Sequence, residues 1–155
     1  MKGQKGTETM GHSVIIKYGT SRGAETYGYT TCSAWIDGKR LGSCSGGGYD
    51  LGGTALGEAV IKRWPKEIFA LADRAGSVYD KDTNRNEHRS TIGTQYLYGL
   101  FATTQGGKVV KVHIDGGCGF NCVRDIIREA LGMKLRFVDE TRSRKVYTLD
   151  PMGGA

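Results

Sequence analysis

The sequence predicts an α+β domain: an antiparallel sheet with two helices on one face, built from a duplicated strand-strand-helix unit. Gly46-Gly47-Gly48-Tyr49-Asp50-Leu51 aligns with Gly117-Cys118-Gly119-Phe120-Asn121-Cys122. Each segment is preceded by a hairpin signal and followed by apolar residues at helical spacing.

Residues 12–18 read as an opening strand. Within 27–44, Asp37-Gly38 is a type I′ turn signal between Ser-Ala-Trp-Ile and Lys-Arg-Leu. Pairing in register from that turn sets Ile36 opposite Lys39, Trp35 opposite Arg40 and Cys32 opposite Ser43. Cys32 and Cys44 then point to opposite faces, and Tyr27, Tyr29, Trp35 and Arg40 share one face. In the first helix Leu51, Ala55, Leu56, Ala59 and Val60 trace one side, with Asp50 as N-cap. Pro65 breaks it before a short segment, 66–75. The polar stretch 77–94 reads as an exposed loop between the halves.

The second hairpin joins 96–104 to 108–115 around Gln105-Gly106-Gly107. Cys122, Val123, Ile126, Ile127, Ala130 and Leu131 trace the second helix, with Asn121 as N-cap and Gly132 as C-terminal cap. A third hairpin joins 134–140 to 145–149, and the tail after Pro151 frays. The expectation is one domain over 1–155, with repeat one about 12–75, repeat two about 95–150, and a pseudo-two-fold relating them.

The composition fits that size. The chain has 155 residues, and its 25 glycines against 2 prolines favour tight turns over a disordered linker. Lys and Arg outnumber Asp and Glu by 22 to 16, a formal charge of +6 that favours acidic partners such as nucleic acid or nucleotides. No stretch reaches the ~20 apolar residues of a membrane span, and the N-terminus lacks the apolar core of a secretory signal, so the expected location is cytoplasmic. The four cysteines contain no CxxC pair. Reduced thiols, no metal and no cofactor are expected.

Two features point to binding chemistry. Gly46, Gly47, Gly48, Gly117 and Gly119 lead into helix N-termini, where amide N–H groups hold anions, although glycine serves equally as a structural turn there. Neither loop is a Walker A sequence, and Asp50 would repel an anion. The second feature is the aromatic face: Tyr27, Tyr29 and Trp35 interleaved with Arg40 suit base stacking or a protein interface, unless the loop 77–94 covers them. Arg85 and Arg89 in that loop, with Arg142, Arg144 and Lys145 at the last hairpin turn, would flank a groove that tracks phosphates.

Catalytic patterns are sparse. His113, Asp115 and Cys118 surround the second Gly loop, and His88-Arg89-Ser90 has the form of one H-x-[ST] element of two-histidine phosphoesterases without a second copy, since His12 is followed by Ser13-Val14. No convergent titratable set is visible, which favours a binding protein over an enzyme.

The Gly46–Asp50 segment with Gly53-Thr54-Ala55-Leu56-Gly57, and Gly117–Cys122 before an Arg-rich amphipathic helix, resemble small accessory proteins of tailed phages and prophages over residues 14–149. That resemblance implies a product of a mobile element in the host cytoplasm that binds nucleic acid or blocks a host defence complex, as anti-CRISPR proteins do. It carries over no catalytic residue. The expected function is therefore a phage-type, non-enzymatic binding protein acting on a host nucleic-acid-processing complex or on nucleic acid. A nucleotide-sequestering protein using the Gly loops is the alternative, and a small phosphoesterase or Cys-dependent hydrolase the second. A second copy of the chain is a further candidate partner.

Overall fold

Asp37 and Gly38 adopt φ of 51° and 81°, the two left-handed residues that a type I′ hairpin turn requires. The computed structural model describes residues 11–19, 31–45, 51–75, 77–80, 85–88, 100–105, 108–114 and 119–152. Around the turn, β2 (Thr31–Ile36) pairs with β3 (Lys39–Ser45), and β1 (His12–Gly19) pairs with β2 on the other side. The last hairpin, β8 (Met133–Glu140) and β9 (Arg144–Pro151), completes a five-stranded antiparallel sheet in the order β3-β2-β1-β9-β8. Chain-distant β1 and β9 thus lie side by side at its centre.

One face of this sheet is buried. Val14, Ile16, Cys32, Ala34, Ile36, Leu135, Tyr147 and Leu149 project from it into the core. Helix α1 (Leu51–Arg63) packs on β1, β2 and β3. Helix α3 (Gly119–Ile126), continued by a π-helical turn (Ile127–Leu131), lies beside α1 and reaches β8 and β9, where Phe120 and Tyr147 ring centroids are 5.8 Å apart. The fold is α+β, with α1 and α3 on the same side of an antiparallel sheet.

Sequence explains the helix boundaries. Pro65 donates no N–H, so α1 ends at Arg63 and α2 (Pro65–Ala75) restarts with proline at its first position, where a missing donor costs nothing. The Trp64 carbonyl accepts from the Ile68 amide at 3.1 Å across that junction. Gly132 closes the π turn in the left-handed region, φ 65°, its N–H donating to the Arg128 carbonyl at 3.0 Å. Asn121 is not the N-cap that the sequence suggested, because α3 already begins at Gly119; Asp50 lies outside the described residues.

The stretch 77–94 departs further from expectation. It holds β4 (Ser77–Asp80) and β5 (Arg85–His88), which pair antiparallel, while β4 also pairs parallel with β6 (Leu100–Gln105). Backbone hydrogen bonds stabilise such short strands without any side-chain alternation, so periodicity misses them. With β7 (Lys108–Ile114) they form a separate four-stranded mixed sheet, β5-β4-β6-β7. The second predicted hairpin is therefore β6–β7, but it does not join the first hairpin's sheet.

Helix α1 links the two sheets. Gly52, Gly53, Ala55, Leu56, Gly57, Ala59 and Val60 are all buried, so this helix is enclosed on most sides rather than amphipathic. Its small residues allow close contact both ways. A Cβ on Gly57 would sit 3.0 Å from Ile114 of β7, and one on Gly42 of β3 would run into the Ala55 carbonyl oxygen.

Candidate functional site: the uncovered sheet face

Strand pleating sends alternate residues of the five-stranded sheet away from the helices. In β2 the burial alternates, with Cys32, Ala34 and Ile36 buried and Thr31, Ser33 and Trp35 only half-buried. Trp35 is therefore on the face that no described element covers, as the sequence suggested. Register fixes its neighbours: Arg40 opposite on β3, Ile15 opposite on β1, and Val146 beyond Ile15 on β9.

Charge gathers around this row. Lys17 shares the face, and its ammonium sits over the Trp35 ring, 4.7 Å from the centroid, a cation–π contact. Arg144 of β9 is paired directly with Lys17, and Arg136 and Lys134 of β8 face Thr148 and Asp150. Five cations, Lys17, Arg40, Lys134, Arg136 and Arg144, thus share the face with two carboxylates, Asp139 and Asp150. Asp150 is engaged, accepting from Arg136 Nε at 2.7 Å, and that hydrogen bond holds its carboxyl below the ordinary carboxylate range.

Other predicted residues fall elsewhere. Lys145 is on the helix-covered side, with its Nζ 5.5 Å from the centroids of Tyr18 and Phe120, because it alternates with Arg144 along β9. Arg142 is exposed in the β8–β9 turn. Arg85 is in β5, whereas Tyr27, Tyr29 and Arg89 lie outside the described residues. So do Gly46, Gly47, Gly48 and Gly117, and Gly119 is the first residue of α3.

The cysteines differ from expectation in two ways. A bulge between Ala34 and Trp35 makes Leu41 the extra residue, which shifts the register so that Cys32 faces Cys44 rather than Ser43. Both remain thiols, and Cys44 donates to the Leu51 carbonyl at 3.2 Å. Cys122, expected as a thiol, is disulfide-bonded.

His113 is exposed on β7, with Asp115 and Cys118 outside the described residues. His12 instead pairs with Asp37, its Nδ1 2.7 Å from Oδ2, and its ring meets Trp64 edge-on at 5.2 Å. The Ser13 amide donates to the other Asp37 oxygen at 3.0 Å. This cluster clamps the first hairpin turn to the start of β1. Among the described residues, no group of three or more His, Cys, Asp or Glu could hold a metal ion, and no helix is long and apolar enough to cross a membrane.

Sequence reasoning missed Lys17, Lys134 and Arg136. Their parity was readable in Lys17 alternating with Ile16 and Tyr18, and in Lys134 and Arg136 flanking Leu135. What could not be read was that β1 and β9 sit between Trp35 and β8. Comparison with known proteins finds no family model, no curated protein and no solved structure that matches this chain.

Proposed function

We propose that this protein is a non-enzymatic binding module that holds single-stranded nucleic acid across the uncovered face of its five-stranded sheet. The observation that carries the reading is the grouping of Trp35 with Lys17, Arg40, Lys134, Arg136 and Arg144 on one open face. An aromatic ring offers a stacking platform to any base, and surrounding cations hold the phosphates whatever the sequence. Lys17 has a second use in this reading: it occupies the ring face in the empty protein and moves to a phosphate when a base stacks. In the setting that the phage resemblance implies, such a module would compete for the strand used by a host nucleic-acid-processing complex.

The test uses tryptophan emission. The chain has two tryptophans, so Trp64→Phe leaves Trp35 as the sole reporter. Titration with a short oligothymidine strand at low salt is expected to quench the emission, with affinity falling steeply as salt rises. Trp35→Ala is expected to weaken binding of a labelled strand by about tenfold to a hundredfold, in line with ~1–3 kcal/mol per stacked base. Unchanged emission together with no binding of the labelled strand at low salt would refute the reading.

A further inference from the structure

Among the described residues β8 is the outer edge of the five-stranded sheet, with no described strand paired on its far side. Edges of this kind are usually guarded. The opposite edge, β3, is: its Lys39, Arg40 and Ser43 are exposed, and no large apolar side chain is exposed on it. β8 exposes charges too, Lys134, Arg136, Asp139 and Glu140, but unlike β3 it also presents large apolar side chains. Phe137 and Val138 are 52% and 46% exposed there, and Met152, which follows β9, is 43% exposed.

The charges along β8 are ordered. It reads Met133-Lys134-Leu135-Arg136-Phe137-Val138-Asp139-Glu140, with two cations before the apolar pair and two carboxylates after it. Antiparallel pairing of two such strands about an axis at Phe137, with Val138 as the bulge residue, sets Phe137 against Phe137 and Arg136 of each copy against Asp139 of the other on the same face. Parallel pairing would set like against like. A groove of about 490 Å³ adjoins the basic end, lined by Arg124, Arg128, Met133, Lys134, Leu135 and Met152.

We infer that β8 pairs antiparallel with β8 of a second copy of this chain, making one continuous sheet of two five-stranded halves. On the helix side Glu140 of each copy lies opposite Leu135 of the other, at the groove that Arg124 and Arg128 line. The backbone ladder and the apolar centre supply affinity, while the charge order selects orientation. The register shift between Phe137 and Asp139 makes Val138 a bulge residue. That bend falls at the proposed axis, so both copies bend together and the ladders run on either side of it. This inference does not depend on the nucleic-acid reading, since it is tested without nucleic acid.

Sedimentation equilibrium of the full chain tests it. The wild type is expected to be a dimer, and Val138→Lys a monomer with an unchanged far-ultraviolet circular dichroism spectrum. Arg136→Glu and Asp139→Lys are each expected to weaken the dimer by about tenfold or more, and the double variant, which restores opposite charges across the axis, to recover most of that loss. A wild type that stays monomeric at about 100 μM, the range of weak association, would overturn the inference. So would a dimer indifferent to Val138→Lys and Arg136→Glu, or a double variant as weak as the single ones. Should Val138→Lys misfold, the three charge variants decide alone, because Arg136 and Asp139 are exposed.

Discussion

Lys17 of β1 and Arg144 of β9 are direct cross-strand partners on the uncovered face of the sheet. Like charges set opposite one another repel, at a cost of about 0.2–1 kcal/mol. In the proposed function, a phosphate bound between them would relieve that repulsion. Arg144→Thr is therefore expected to leave the melting temperature unchanged or slightly raised. The same change should weaken oligonucleotide binding and lower the magnitude of the salt slope by about one. Calorimetry and salt-dependent anisotropy measure the two effects, and a substantial loss of stability would argue against the repulsion.

Gly42 is a point where the first hairpin touches α1. A Cβ there would collide with the Ala55 carbonyl oxygen and lie 2.7 Å from the Ala59 amide nitrogen, both backbone atoms of a buried helix. Gly42→Ala should destabilise the fold by about 1–3 kcal/mol or more, read as a lower urea midpoint. Gly38→Ala makes a useful contrast. It meets nothing within 4 Å, but φ of 81° makes an L side chain strained, so its smaller expected cost, about 1 kcal/mol, comes from the backbone alone.

Asp37 predicts how stability responds to acid. Partial burial pushes its carboxyl up, but hydrogen bonds from His12 and the Ser13 amide, with the charges of His12 and Arg63, outweigh this and hold it below the ordinary value. A carboxyl with a lowered folded pKa adds stability above the unfolded value, about pH 4, and loses it as pH falls through the lower folded value. Its side chain is 43% exposed, so solvent screening limits the gain to about 0.2–1 kcal/mol. Asp37→Asn keeps a residue that tolerates φ of 51°, so the turn should persist. The variant's melting temperature should fall less than the wild type's between pH 7 and pH 3, and equal falls would show that the pair contributes nothing.

Much of the architecture was legible because it depends on local rules. Asp37-Gly38 fixed one turn and Gly132 one helix end, and Pro65 marked the junction between α1 and α2. The parity of Trp35 was also legible, since alternation along β2 needs no knowledge of its neighbours. Cys32 was misplaced because a single bulge residue, Leu41, shifts all pairing beyond it. β4 and β5 were missed because β4 is held by β6, which lies farther along the chain, and β5 by β4, through backbone hydrogen bonds that leave no apolar pattern.

The sequence by itself determined the α+β class, the strand-strand-helix order of both repeats and the face on which Trp35 projects. Those follow from turn chemistry, helix caps and side-chain periodicity, which act over a few residues. Tertiary structure alone decided that the second hairpin forms its own sheet, that β1 and β9 bring Lys17 and Arg144 together beside Trp35, and that β8 is left as an edge. Those depend on which distant strands pair and on how closely the glycines and alanines of α1 let two sheets approach, interactions that no short window of sequence contains.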